Sequence, residues 1–230
     1  MANIEHATVV PTFSQTRIEQ GRCTIEQYSA RTEIVRVPEA DDLTPAILVT
    51  GVSASGKDYL LRAAFPDLPE DFIVSSGSVL SKMTNLSRDK LRDLSVEENV
   101  ALQERLPEYL PTTPHIFNTH LAPRMSEVSQ LINGDFLRQY RPAQYIVFVS
   151  DPGSVQKWRA AENTTGVRDR LLETADGIHN HQMRLLQVAD KFSAESGAGM
   201  AVVYNRQNTQ ATEQNIAFLR DIASNVFSEK

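Results

Sequence analysis

The sequence predicts a three-layer α/β protein, a parallel sheet covered by helices on both faces. Two observations lead there. Short β-rich runs at Ala46–Thr50, Phe72–Ser75, His115–Asn118, Tyr145–Val149 and Met200–Tyr204 are continuous rather than alternating, as strands buried on both faces are. The segments between them carry helical periodicity, clearest where Ile216, Leu219, Ile222, Ala223 and Val226 form one stripe. Strands alternating with helices imply right-handed crossovers and hence parallel pairing.

Taken in order, residues 1–44 stand outside this rhythm. They contain two candidate strands, near Ala7–Val10 and Thr32–Val37, and close in a turn-like run, Pro38–Pro45. They read as an N-terminal extension of unknown role, with a packed hairpin or an oligomer contact as the roles left open. The domain proper is expected over residues 45–230.

Directly after the first of the five strands comes Gly51-Val52-Ser53-Ala54-Ser55-Gly56-Lys57-Asp58, then a helix-compatible segment from Tyr59 to Ala64. The pattern G-x-x-x-x-G-K between a strand and a helix is a phosphate-binding loop: glycines let successive amides turn inward, and the helix dipole adds positive potential. Lys57 is expected on the β- and γ-phosphates of ATP. Asp58 stands where Ser or Thr usually offers a hydroxyl to Mg²⁺. A carboxylate is a hard ligand suited to Mg²⁺, directly or through water, and beside a polyphosphate it makes the metal more necessary.

Phosphoryl transfer spreads charge that arginine forks match well. Arg88 and Arg92 fall on one face of any helix there, after the second strand. Arg168 and Arg170 follow a polar stretch, Glu162–Gly166, of the kind a lid would use, and Arg159 lies on the segment before it. His115, His179 and His181 lack carboxylate or cysteine partners at ligand-like spacing, and Trp158 and Phe192 read as helix packing. No Ser-His-Asp or Cys-His set is supported.

Composition narrows the class. The 230 residues suit one α/β domain. The net charge of −6 argues against extended nucleic acid and mildly for a small ligand. A single cysteine, Cys23, excludes an intrachain disulfide and a multi-cysteine zinc site, pointing to a reducing cytoplasm. The apolar runs are too short to span a bilayer, and Met1–Pro11 does not read as a signal peptide.

From Ala46 onward the sequence resembles the archaeal-type adenylate kinases, a branch of the P-loop nucleoside monophosphate kinases. Matching pieces occur in the family's order: Val-Thr-Gly51-Val; Ser76-Gly77-Ser78-Val79; Arg88-Asp89 and Arg92-Asp-Leu94; Asn118-Thr119-His120, with Arg124 beyond it; Arg168-x-Arg170; Leu172-Glu173-Thr174; Gly177-Ile178-x-x-His181-Gln182; and Asn205-x-x-Asn208. The resemblance implies a five-stranded sheet of order 2-3-1-4-5. It implies an acceptor part at about 76–110 with Ser78, Arg88, Arg92, His120 and Arg124 near the acceptor, and a lid at about 159–172 with Arg168 and Arg170 over the transferring group. ATP would meet every residue from Gly51 to Tyr59, and Asn205. Asn118 and Leu171 depart from the family, which has Asp at both positions.

The expected activity is transfer of the terminal phosphoryl of ATP, with Mg²⁺, to a nucleoside monophosphate: AMP by default, dAMP or a modified nucleotide otherwise. A kinase for another phosphorylated small molecule is the first alternative, suggested by Gly-Lys-Asp. A nucleotide-dependent ATPase or assembly factor working through a partner is the second.

Overall fold

A computed structural model describes residues 32–69, 71–87, 90–91, 94–121, 134–164, 174–206 and 208–228. They belong to the compact unit Arg31–Lys230; the other unit, Met1–Ala30, lies outside them, as does the candidate strand at Ala7–Val10. Among the described residues six strands form one sheet: β1 (Glu33–Arg36), β2 (Thr44–Gly51), β3 (Ile73–Ser75), β4 (His115–Asn118), β5 (Pro142–Ser150) and β6 (Gly199–Asn205). Their spatial order is β1-β6-β5-β2-β4-β3. Numbered among themselves, the five parallel strands read 2-3-1-4-5, as the resemblance implies.

The sixth strand corrects the expected count. β1, inside the segment set apart as an extension, pairs antiparallel with β6, Glu33 opposite Val202 and Ile34 opposite Ala201. Its β-branched centre favours a strand, and its partial burial suits an edge. Arg36 fastens it to the helix beneath, donating to the Asp190 backbone oxygen at 3.2 Å, pairing with its carboxylate at 3.0 Å, and bonding Ser193 Oγ.

The helices are α1 (Lys57–Ala64), α2 (Ser76–Thr84), α3 (Val96–Glu104), α4 (Gly134–Tyr140), α5 (Pro152–Thr164), α6 (Ala175–Ser196) and α7 (Thr209–Phe227). On one face of the sheet α1 and α7 bury Leu60, Leu61, Leu219 and Ile222 against Ile47, Val49, Ile146 and Phe148. Alternate strand residues point the other way. There Phe117 meets Phe136 and Tyr140 of α4 edge-on at 5.9 and 5.7 Å. Both layers are therefore dry, and β2 is buried throughout from Ala46 to Gly51. Parallel register brings the C-terminal ends together: Ser75 lies opposite Asn118, Asn118 opposite Val49, Gly51 opposite Phe148, and Ser150 opposite Asn205. No helix among the described residues is long and apolar enough to cross a membrane.

Candidate functional site

Gly51 ends β2 and Lys57 opens α1, so the loop Gly51–Gly56 sits at the C-terminal edge of the central strand. Two residues turn it with positive φ, Ala54 at 65° and Gly56 at 82°. Such alternation is how backbone amides are gathered into an anion nest. At Gly56 a side chain is doubly excluded, because its Cβ would run into the Asn205 amide. At Gly51 a Cβ would stand 2.9 Å from Phe148 Cβ and 3.0 Å from Ser55 Oγ.

The loop's alternate carbonyls are each taken by a donor outside it. His120 Nδ1 donates to the Gly51 oxygen at 2.9 Å. Arg159 Nε and Nη2 donate to the Ser53 oxygen at 3.1 and 3.0 Å. Ser150 Oγ and Asn205 Nδ2 both donate to the Ser55 oxygen, at 3.0 and 2.9 Å. Holding carbonyls outward keeps their negative ends away from an anion inside the turn. Ser150 is itself fixed: its N–H donates to Gln182 Oε1 at 2.7 Å and its oxygen accepts from Gln182 Nε2 at 3.0 Å. Ser55 Oγ is buried without a hydrogen-bond partner among the described residues, an unsatisfied group that a phosphate oxygen would satisfy.

Lys57 is almost wholly buried, with Nζ 3.4 Å from Asp58 Oδ1. Asn118 Nδ2 donates to that same oxygen at 2.7 Å, which leaves Oδ2 of this largely exposed carboxylate for a cation. Burial works to raise the Asp58 pKa, but the Lys57 charge and the bonds from Asn118 and Lys57 outweigh it, and the group is held below the usual carboxylate range. Among the described residues no three His, Cys, Asp or Glu are grouped to hold a metal unaided. The site fits Mg²⁺ of the kind held by one carboxylate, waters and substrate phosphates.

His120 is pushed down to about 3, chiefly by burial and then by Lys57, so it is neutral. The carbonyl of Gly51 can only accept, which places the imidazole proton on Nδ1. An imidazolium bonded to an acceptor phosphate is therefore not what the structure contains.

Of the expected ATP residues, the structure brings together Gly51 to Asp58 and Asn205. Val52 packs wholly in the core, and Tyr59 is 66% exposed on the first turn of α1. Ser78 is engaged in capping α2: its N–H donates to Ser75 Oγ at 3.2 Å, and the two hydroxyls lie 2.7 Å apart. Asn208, the last residue of the matched piece Asn205-x-x-Asn208, caps α7 by accepting from the Ala211 amide at 2.7 Å. Arg88, Arg92, Arg124, Arg168 and Arg170 lie outside the described residues. The sequence assigns Ser150 no role, holds Gln182 only as the end of a matched piece and sets Arg159 at the edge of the expected lid. The available signal was the matched piece that ends at Gln182.

A parallel 2-3-1-4-5 sheet with this loop after its central strand decides the architecture. The fold is α/β and P-loop kinase-like. No protein-family model and no curated protein matches the chain. It is similar to solved structures of a shikimate kinase from Bacteroides thetaiotaomicron, at 12% identity and TM-score 0.46 over 77% of this chain and 97% of that one. A shikimate kinase from Acinetobacter baumannii in complex with shikimate gives 18% and 0.46 over 80% and 96%. A gluconokinase from Sinorhizobium meliloti 1021 gives 16% and 0.46 over 81% and 98%.

Proposed function

We propose that the protein transfers the γ-phosphoryl group of ATP to a nucleoside monophosphate, with AMP as the default acceptor. The supporting observation is the phosphate loop, its alternate carbonyls bonded outward and Lys57 set at its end. The acceptor class rests on the ordered resemblance to archaeal-type adenylate kinases. A cytoplasmic setting belongs to the same proposal: with Cys23 as its one cysteine, the chain has no intrachain disulfide that would call for an oxidising compartment.

An acceptor phosphate oxygen is already nucleophilic, so the chemistry needs positioning and charge stabilisation more than a base. Loop amides hold the β-phosphate, and Lys57 neutralises charge as the γ-phosphoryl moves. Mg²⁺, when bound, shields the polyphosphate and orients it. Asp58 would hold that ion, directly or through water, and Asn118 fixes the carboxylate's rotamer. By the resemblance, Arg88, Arg92 and Arg124 would serve the acceptor and Arg168 and Arg170 the transferring group; all five lie outside the described residues.

The test is ADP release, in a coupled assay, across nucleoside monophosphates and other phosphorylated small molecules. Turnover with AMP or dAMP is expected. Activity with a non-nucleotide alone would reassign the acceptor, and slow acceptor-independent hydrolysis would favour a partner-dependent ATPase. Lys57→Ala should lower kcat/KM by roughly 10²–10³-fold with its circular dichroism unchanged. Near-normal turnover in that variant would remove the lysine from the mechanism.

A further inference from the structure

The loop is served from two sides. Arg159, Ser150 and Asn205 approach it from α5 and from the ends of β5 and β6, while His120 and Asn118 approach from the end of β4. Asn205 and the loop belong to the expected donor side, which leaves the β4 side to the acceptor. His120 presents an uncommon group there. Its Nδ1 proton is committed to the Gly51 carbonyl at 2.9 Å, so Nε2 carries a lone pair. Nε2 makes no hydrogen bond among the described residues, yet it is not a sealed interior atom, because the residue is only partly buried. Lys57 and His181 lie close enough to disfavour a second proton on the ring.

A lone pair repels a phosphate oxygen and attracts a donor. We infer that His120 is a specificity-determining residue that accepts a hydrogen bond from a hydroxyl or amino group of the acceptor molecule, leaving phosphate recognition to cationic groups. This rests on the proposed phosphotransferase reading and deepens it at the acceptor end: the favoured acceptor carries an O–H or N–H donor, on its sugar or its base, that reaches Nε2, and analogues lacking it are discriminated against. Discrimination of this kind is steep, since a deleted donor leaves a desolvated lone pair unpaired.

Two measurements test it. In protein labelled with ¹⁵N at histidine, long-range proton–nitrogen correlation should show His120 as the Nδ1–H tautomer. An Nε2–H tautomer or an imidazolium overturns the inference. The second measures binding of AMP, dAMP, 3′-deoxy-AMP and purine riboside monophosphate, which lacks the 6-amino group, to wild type and to His120→Phe and His120→Gln. One deletion should weaken binding to wild type at least about tenfold and leave His120→Phe indifferent, the signature of a direct pair. His120→Gln, which keeps an acceptor atom, should recover part of the discrimination. Deletions that cost wild type and His120→Phe equally overturn the inference even if AMP is a good substrate. If no monophosphate binds while Mg·ATP does, the acceptor assignment and this inference fail together, and the phosphate loop stands.

Discussion

Ala54 holds a φ of 65° without being glycine, and Gly56 holds 82° with the Asn205 amide against the place a Cβ would occupy. A left-handed non-glycine residue carries roughly 1–2 kcal/mol of strain, tolerated here because the turn shapes a binding site. Gly56→Ala meets both the strained angle and Asn205. It should destabilise by about 2 kcal/mol or more in urea melts and displace Asn205 from the Ser55 carbonyl. His115 and His120 give a second residue-scale prediction. Both lie below the ordinary value of 6.5, mainly through burial, His120 at about 3. His115 is locked neutral, donating from Nδ1 to the Thr113 oxygen at 2.7 Å and accepting from the Tyr140 hydroxyl at 2.6 Å. Unfolding therefore takes up protons below about pH 6.5, so the stability these groups give is present above that pH and is lost as pH falls toward 3. For partly buried His120 alone the loss at pH 5 should be about 1–2 kcal/mol. Denaturation at pH 7.5 and pH 5 should show a smaller acid loss in His120→Gln than in wild type; an equal loss would put the titration elsewhere.

At the scale of elements, α5 is more than a connector. It brings Arg159, nearly all of it buried, to the Ser53 carbonyl with two guanidinium nitrogens. Arg159→Gln should raise the KM for ATP roughly tenfold while changing acceptor KM and unfolding midpoint much less, since the lost fork orients one turn and not the core. Equal changes in both KM values would make it a general packing residue. These supports also show what a sequence conceals. The loop motif, its flanking strand and helix and the five buried runs are local patterns, so they could be read directly. Ser150, Gln182 and Arg159 act through partners far away in the chain, and nothing in their neighbours distinguishes a clasping glutamine from a packed one. Asn208 shows the opposite difficulty: a helix cap and a ligand loop favour the same residue at the same place, so the matched piece did not disclose the cap it makes on α7. β1 could be recognised as a strand, but not as a member of the sheet, because Glu33 finds its partner only at Val202.

For the whole molecule, β1 decides how the sheet ends. It covers one side of β6, where a row of unpaired amides would invite another chain. Its hold on the body is concentrated in Arg36, through Asp190 and Ser193 of α6, with Thr32 Oγ1 adding a 2.6 Å bond to Asn215 of α7. Arg36→Ala should speed amide exchange along β6 and shift light scattering toward larger species, with the P-loop sequence untouched. Unchanged exchange at Met200–Val202 would show the strand to be held by backbone pairing alone.

Helix α6 carries a consequence of its own. The segment that grips the sheet's edge at Asp190 also clasps Ser150 through Gln182, and the Ser150 hydroxyl holds the Ser55 carbonyl. It is a beam resting on the sheet's outer margin at one point and on the nucleotide cradle at another. A load placed on that margin would pass along one helix and through Ser150 to the Ser55 carbonyl of the phosphate loop.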